Sequence, residues 1–179
     1  VYAILIDGVA VGTEGYHGSH TNLSADHTVE ALFQDADGNL LTEFSAGSGT
    51  EEDPYQIATV EELTTLSQQV ASGKSYEGKY FLLSVDLTLN PVEGFSWGEN
   101  TVTAVNNSTD LTSWEPIGAE DAPFLGRFDG GGHTVSGLFI DGEAEYAGLF
   151  GYVGEGASVE NLTLGCGRIQ TTGNYAGAV

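Results

Sequence analysis

Residues 134–140 read Thr-Val-Ser-Gly-Leu-Phe-Ile, and a similar segment, Ser-Val-Glu-Asn-Leu-Thr-Leu, follows at residues 158–164. When the two segments are aligned, apolar residues occupy equivalent places at one constant offset. The matched pairs are Val135/Val159, Leu138/Leu162 and Ile140/Leu164. This spacing predicts an internal repeat built from short apolar segments.

Glycine turns support the repeat. The triplet Gly-Gly-Gly at residues 130–132 aligns with Gly-Glu-Gly at residues 154–156, at the same offset. A third unit begins with Tyr-Ala-Gly at residues 175–177, which echoes residues 146–148. Short β segments separated by glycine turns at a regular period are typical of a solenoid.

The kind of solenoid follows from the residue types. Helix-forming residues are sparse, which excludes an α-solenoid, and the leucine-rich-repeat consensus is absent. A parallel β-helix fits best, with one coil per roughly 24 residues and glycine at corners that need a positive φ. We therefore expect a mostly β chain that forms a right-handed parallel β-helix around one apolar column.

One helix is predicted, over residues 59–73. Thr59 and Glu62 form a capping box, and Gly73 suits the left-handed position after the last turn. Apolar residues at helical spacing give the segment one buried face, namely Leu63, Leu66 and Val70. We expect this helix to cap the start of the β-helix. Residues 80–89 then alternate as one strand, with Phe81, Leu83, Val85, Leu87 and Leu89 on one side.

The chain is predicted to contain three regions. Residues 1–33 form a partial β module with a turn at Asp7-Gly8, and residues 34–48 form a linker or a hairpin. Residues 49–179 form the β-helix, with repeated coils from about residue 124 and an incomplete last coil.

The charge balance excludes several partners. The chain has 26 Asp and Glu residues against four Lys and Arg residues, for a formal net charge of −22. Nucleic acid and anionic membrane surfaces are therefore disfavoured. No apolar run approaches the roughly 20 residues of a membrane span, so no membrane insertion is expected. The single cysteine, Cys166, has apolar and glycine neighbours and is expected to be a small buried residue.

Several spaced motifs then resemble a known class of surface proteins. Residues 47–57 read Gly-Ser-Gly-Thr-Glu-Glu-Asp-Pro-Tyr-Gln-Ile, and residues 114–118 read Trp-Glu-Pro-Ile-Gly. Residues 124–135 read Phe-Leu-Gly-Arg-Phe-Asp-Gly-Gly-Gly-His-Thr-Val, and residues 148–151 read Gly-Leu-Phe-Gly. Together they resemble the GLUG-motif β-helical regions of bacterial adhesins and immunoglobulin-A-protease-type surface proteins, over about residues 47–179. The resemblance implies a non-enzymatic, adhesin-like segment at a bacterial cell surface or in a secreted protein.

The N-terminal region resembles a second type of surface module. Residues 6–12 read Ile-Asp-Gly-Val-Ala-Val-Gly, and residues 22–29 read Asn-Leu-Ser-Ala-Asp-His-Thr-Val. These segments resemble the C-terminal half of a divergent Listeria–Bacteroides-type surface repeat. The resemblance implies a small extracellular β module of which about half is present.

Exposed aromatic residues are the main candidates for a binding site. The candidates are Trp97, Trp114, Tyr146, Tyr152 and Tyr175. Aligned on one face, they would stack against sugars, which predicts a host or cell-surface glycan or protein as partner. The alternative is that these rings pack in the core or in loops.

Metal and enzyme functions are weaker alternatives. His17 and His20 lie three residues apart with no companion Cys for a zinc site, and a solvated loop is the preferred interpretation of this segment. Calcium is an open alternative, since acidic oxygen ligands are abundant. A polysaccharide lyase or hydrolase would rely on Arg127 and Asp129, with Arg168 about one coil later, against the simpler interpretation of a surface ion pair. His133 is expected to order a turn.

Self-assembly is the second functional hypothesis. The N-terminal strands lack evident partners in the sequence, and the last coil stops without a cap, so both ends would offer open β edges. The assembly residues would be Val1, Ile4, Ile6, Ala176 and Val179. The alternative is that the sequence is a slice of a longer protein with more coils.

Overall fold

A computed structural model describes residues 44–93 and 111–177 in full. Outside these ranges it describes the backbone of strands at residues 3–6, 9–13, 29–34, 40–41, 95–97 and 102–104. The chain divides into two compact units, Val1–Glu43 and Phe44–Val179. The second unit begins a little before the predicted residue 49, at Phe44, whose side chain is buried in the core.

The first unit is a four-stranded antiparallel sheet. Its strands are β1 (Ala3–Ile6), β2 (Val9–Thr13), β3 (Val29–Gln34) and β4 (Leu40–Leu41), in the order β2-β1-β3-β4. Strand β1 pairs with β2 on one side and with β3 on the other. The prediction that Ile4 and Ile6 lie on an open edge is therefore wrong, because both residues belong to an inner strand. Strands β3 and β4 pair antiparallel as a hairpin. This pairing agrees with the hairpin, rather than the linker, that the sequence offers for residues 34–48.

The second unit is a parallel β-helix with one α-helix, as the sequence predicts. Its elements, in chain order, are β5 (Tyr55–Ile57), α1 (Val60–Ala71), β6 (Tyr80–Leu83), β7 (Leu87–Thr88), β8 (Phe95–Trp97), β9 (Val102–Ala104), β10 (Arg127–Asp129), β11 (Thr134–Ser136), β12 (Leu138–Gly142), β13 (Tyr146–Ala147), β14 (Ser158–Glu160), β15 (Thr163–Leu164), β16 (Gly167–Thr171) and β17 (Tyr175–Ala176). Parallel pairing stacks them into sheets β5-β6-β10-β14, β7-β11-β15, β12-β16 and β13-β17. The result is a β-solenoid of about four turns, interrupted by the antiparallel hairpin β8-β9.

The register of the coils corrects the predicted period. We call β10 to β13 the third coil and β14 to β17 the fourth coil. Phe128 lies opposite Val159, and Val135 lies opposite Leu164. The predicted pairing of Val135 with Val159 is therefore wrong, and the predicted period is too short. A coil contains several short strands with similar apolar spacing, so a strand resembles its neighbour within the coil as well as its partner above. The echo of Tyr146 in Tyr175 is confirmed as a strand pair.

Helix α1 confirms the capping-box prediction, with slightly shorter bounds. The Thr59 side chain accepts from the backbone N–H of Glu62, and the Glu62 side chain accepts from the N–H of Thr59. Gly73 follows the helix with a φ of +99°. The helix occupies the first coil after β5, and its apolar face is fully buried through Leu63, Leu66 and Val70. This face belongs to the same buried cluster as the apolar residues of the coils.

Two local predictions fail at corners of the β-helix. Residues 80–89 form two strands rather than one, because the chain bends between β6 and β7. Val85 lies in that bend and is 39% exposed, whereas Phe81 and Leu83 are buried. Cys166, expected to be buried, is exposed because it lies in the turn between β15 and β16.

A line of phenylalanine rings runs through the core and joins successive coils. Phe81 contacts Phe124 at a ring-centroid distance of 5.9 Å, Phe124 contacts Phe150 at 5.4 Å, and Phe150 contacts Phe128 at 5.2 Å. Aromatic pairs in such tilted or edge-to-face contacts stabilise a core beyond the area that they bury. The exterior positions that the coils present are thus held on a rigid scaffold.

Candidate functional site

Three of the predicted aromatic residues meet on the surface of the third and fourth coils. Tyr146 and Tyr175 are paired residues of β13 and β17, and their rings stack at 5.0 Å with an interplanar angle of 7°. Tyr152 approaches the Tyr146 ring edge-on, at 5.5 Å and 88°. We call Tyr146, Tyr152 and Tyr175 the tyrosine ledge. The parallel register builds it, because it places like residues directly above one another.

Tyr146 is fixed within the ledge by a neighbouring carboxylate. Its hydroxyl donates a hydrogen bond to Oε2 of Glu120, at 3.1 Å. Desolvation raises the pKa of Tyr146 to about 12, and the hydrogen bond to Glu120 and the negative charges of Glu120 and Glu145 act in the same direction. The hydroxyl therefore stays protonated at neutral pH and remains a hydrogen-bond donor.

Tyr175 is the accessible end of the ledge. Its side chain is 58% exposed, whereas Tyr146 and Tyr152 are half-buried. Beside it, the Asn174 side chain donates to Oε1 of Glu145 at 3.2 Å, which ties the fourth coil to the third. The exposed ring thus sits on an anchored segment.

A cleft of about 720 Å³ adjoins the ledge at Tyr146. Three separate parts of the chain contribute its walls: the end of α1, residues 115–121 and residues 144–146. Four carboxylates lie around it, those of Glu115, Glu120, Asp121 and Glu145. Among the lining residues that the structure describes, none is Lys, Arg or His. Sequence reasoning missed the cleft, because no local motif connects these three segments.

Trp114 does not join the ledge. Trp114 is 8% exposed, and its indole N–H donates to the backbone oxygen of Leu149 at 3.0 Å. Its predicted place on an exposed face is therefore wrong, and its hydrogen bond gives it a structural role between coils. Trp97 ends β8, and its side chain lies outside the part of the chain that is described.

The residues considered for polysaccharide chemistry make contacts between coils. The Arg127 guanidinium lies over the Tyr80 ring, 5.5 Å from the centroid. One Asp129 oxygen accepts from the Gly131 N–H at 2.8 Å and from the Asn161 side chain at 3.0 Å. Arg168 lies opposite Phe139 in the strand register and donates to Gln170. Arg127 and Asp129 line one hollow of about 260 Å³, whereas Arg168 is not among its described lining residues.

His133 connects the second and third coils. Its Nδ1 lies 3.2 Å from Oδ1 of Asp86, and the same oxygen accepts from the Thr134 N–H at 2.9 Å. The Thr134 hydrogen bond is the main cause of a lowered pKa for Asp86, with His133 acting in the same direction. This contact matches the turn-ordering role that the sequence predicts for His133.

The metal alternatives stay open. His17 and His20 lie outside the described residues. In the ranges 44–93 and 111–177, no three His, Cys, Asp or Glu residues are grouped so that they could hold a metal ion. In the same ranges, no helix has the length and apolar character needed to cross a membrane.

Comparison with known proteins finds two relatives. Halomucin of Haloquadratum walsbyi is 32% identical over 145 residues, which cover 80% of this chain and 1% of halomucin. A Gly-rich membrane protein of Evansella cellulosilytica is 31% identical over 133 residues, covering 74% of this chain and 12% of that protein. The chain thus spans a small fraction of the length of either relative. No protein-family model matches it, and neither does any solved structure. The second relative is a membrane protein by name, and a β-solenoid is compatible with a surface protein.

Proposed function

We propose that this chain is a segment of an extracellular surface protein, in which the β-helix is an adhesin-like stalk that presents a binding surface. The observation that carries the proposal is the stacking of Tyr146 on Tyr175. Each added coil extends the stalk by one strand spacing, about 4.8 Å, and adds one residue to every exterior row. A rigid row of exposed side chains is what a binding surface on a stalk requires.

The charge of the chain supports an exposed, repetitive β structure. A net charge of −22 keeps such a surface soluble and opposes edge-to-edge pairing between copies. The two relatives support the same setting by their names. The resemblance to GLUG-motif regions agrees with it and stays a prediction.

Surface labelling of intact cells tests the proposal. An antibody raised against residues 44–179 should label unpermeabilised cells of the producing organism, and added protease should remove the signal. A cytosolic protein serves as the control, since it should be labelled only after permeabilisation. Labelling that needs permeabilisation, with no protein in the medium, would overturn the proposal.

A further inference from the structure

We propose that the tyrosine ledge and the adjoining cleft bind a saccharide chain that carries no anionic groups. This inference deepens the proposed function, because it rests on the β-helix presenting a binding surface and names the ligand. Neither the relatives nor their names assign such a site to this chain.

The stacked rings supply the recognition surface. Sugar rings carry faces of C–H groups that pack against aromatic rings, and tyrosine adds a hydroxyl at the edge for polar contacts. Tyr175 is 58% exposed, so the described residues leave part of its ring uncovered. Tyr146 is held by its stack on Tyr175 and by its hydrogen bond to Glu120. Because these rings are already ordered, a ligand loses little affinity to ordering them.

The size of the hollow fits several sugar units. The cleft of about 720 Å³ lies in the usual range of ligand sites, roughly 300–1,000 Å³. A second hollow of about 360 Å³ is also lined by Tyr146, together with Tyr175. Tyr146 is thus the wall that the two hollows share, and the two together accommodate an extended chain better than a single small molecule.

The charges select the class of saccharide. Ionised carboxylates are acceptors only, and they take strong hydrogen bonds from hydroxyl donors such as those of a sugar. The side chains of Glu115, Glu120, Asp121 and Glu145 are placed for this around the cleft. The same carboxylates repel sulfate, uronate and other anionic groups, and no basic residue in the described part of the lining offsets them. Uncharged saccharides donate hydrogen bonds to these carboxylates and carry no group that the carboxylates repel.

The test uses the whole chain on an array of oligosaccharides. Uncharged β-glucan, mannan, galactan and N-acetylglucosamine oligomers are printed beside sulfated and uronic-acid oligomers. We expect binding to at least one uncharged series and none to the anionic ones. Calorimetry with the best uncharged oligomer then gives the affinity for the variants.

Substitutions at the exposed ring give the sharpest variants. Tyr175→Ala should weaken binding by about tenfold, the loss expected for one stacking contact of about 1.4 kcal/mol. Tyr175→Phe keeps the ring and should bind within about twofold of the parent. Tyr80→Ala is the matched control, since Tyr80 lies on β6, beneath Arg127 and away from the ledge. It should leave the affinity unchanged.

Each outcome decides the proposal. Binding to no uncharged saccharide, equal binding to anionic ones, or no effect of Tyr175→Ala on a folded protein would overturn it. Capture of a protein partner, with no saccharide bound, would overturn the proposal in the same way as the first result. None of these results affects the surface labelling, so failure of this inference is distinguishable from failure of the proposed function.

Discussion

The third and fourth coils carry identical residues at four paired positions, yet differ in how deeply they bury them. The pairs are Thr134/Thr163, Ile140/Ile169, Tyr146/Tyr175 and Ala147/Ala176. Ile140 is 2% exposed and Ala147 is 3% exposed, whereas Ile169 is half-buried and Ala176 is exposed. Residue type therefore does not set burial in this fold.

The number of neighbouring coils explains the difference. In the third coil, β10 pairs with β6 and β14, and β11 pairs with β7 and β15. Within the described ranges, the fourth coil pairs with the third coil alone. Each coil–coil interface adds its own share of stability, as in other repeat proteins.

The largest expected effect is the loss of a core isoleucine in the third coil. Ile140→Ala should lower the free energy of unfolding by about 2–5 kcal/mol, because it removes buried methyl groups and leaves a cavity. Ile169→Ala should cost clearly less, since the half-buried side chain already contacts water. Urea denaturation followed by circular dichroism measures both. Equal losses would show that the fourth coil is covered in solution as well as the third.

The sequence predicts the elements of this fold better than their stacking. The capping box at Thr59 and Glu62 is a local signal, and the helix follows it. The register of the coils depends on partners a whole coil away, and the aligned apolar pairs misplace it. Val135 resembles Val159 in its local sequence, but its partner is Leu164. Local similarity does not show where the chain bends, as the exposed Val85 also demonstrates.

The candidate site is predictable only in part for the same reason. Tyr146 and Tyr175 repeat in sequence, so their meeting follows once the coils stack. Trp114 has no pattern that distinguishes an exposed ring from a buried one, and only the hydrogen bond to Leu149 settles its role. The cleft is assembled from segments around residues 71, 118 and 145, which no sequence motif links.

Turn glycines give the second comparison. Gly137 and Gly156 both have a positive φ, of +74° and +81°. An added Cβ at Gly137 would lie 2.3 Å from the backbone oxygen of Asn90 in the coil below, whereas Gly156 has open space. Gly156→Ala should cost about 1–2 kcal/mol of stability from backbone strain alone. Gly137→Ala should cost more than that, because it adds a clash with backbone.

Thermal unfolding of the two glycine variants checks this expectation. Gly156→Ala is the matched control, since it carries the same backbone strain without the contact. Similar melting temperatures for the two variants would mean that the second and third coils are packed less tightly than the structure indicates.

The stacked tyrosines differ in their surroundings, and alkaline pH sharpens that difference. The pKa of Tyr146 is raised from 10.0 to about 12, so the folded state holds this proton more tightly than the unfolded state. The resulting stabilisation is complete below pH 10 and is lost as the pH rises towards 12. Tyr146→Phe should therefore flatten the fall in melting temperature over that interval. Tyr175→Phe, which keeps the Tyr146 hydroxyl bound to Glu120, is the control and should leave the fall in place.

The smallest expected effect concerns the exposed contact between the second and third coils. The pKa of Asp86 is lowered in the folded state, mainly by the N–H of Thr134 and further by His133. A carboxyl whose pKa is lowered in the folded state stabilises the fold at a pH above its pKa in the unfolded state. This contribution disappears as the pH falls through its pKa in the folded state. Asp86→Asn should therefore melt below the parent protein at about pH 6, and the difference should vanish near about pH 2.

A matched variant separates the charge of Asp86 from its shape. Asp141→Asn removes an equal charge from the exposed end of β12, so it shows how much of the change in melting temperature comes from net charge alone. A deficit of Asp86→Asn that persists at low pH would mean that the side chain acts through its shape rather than its charge. The coils would then be joined here by packing alone, as they are in the core.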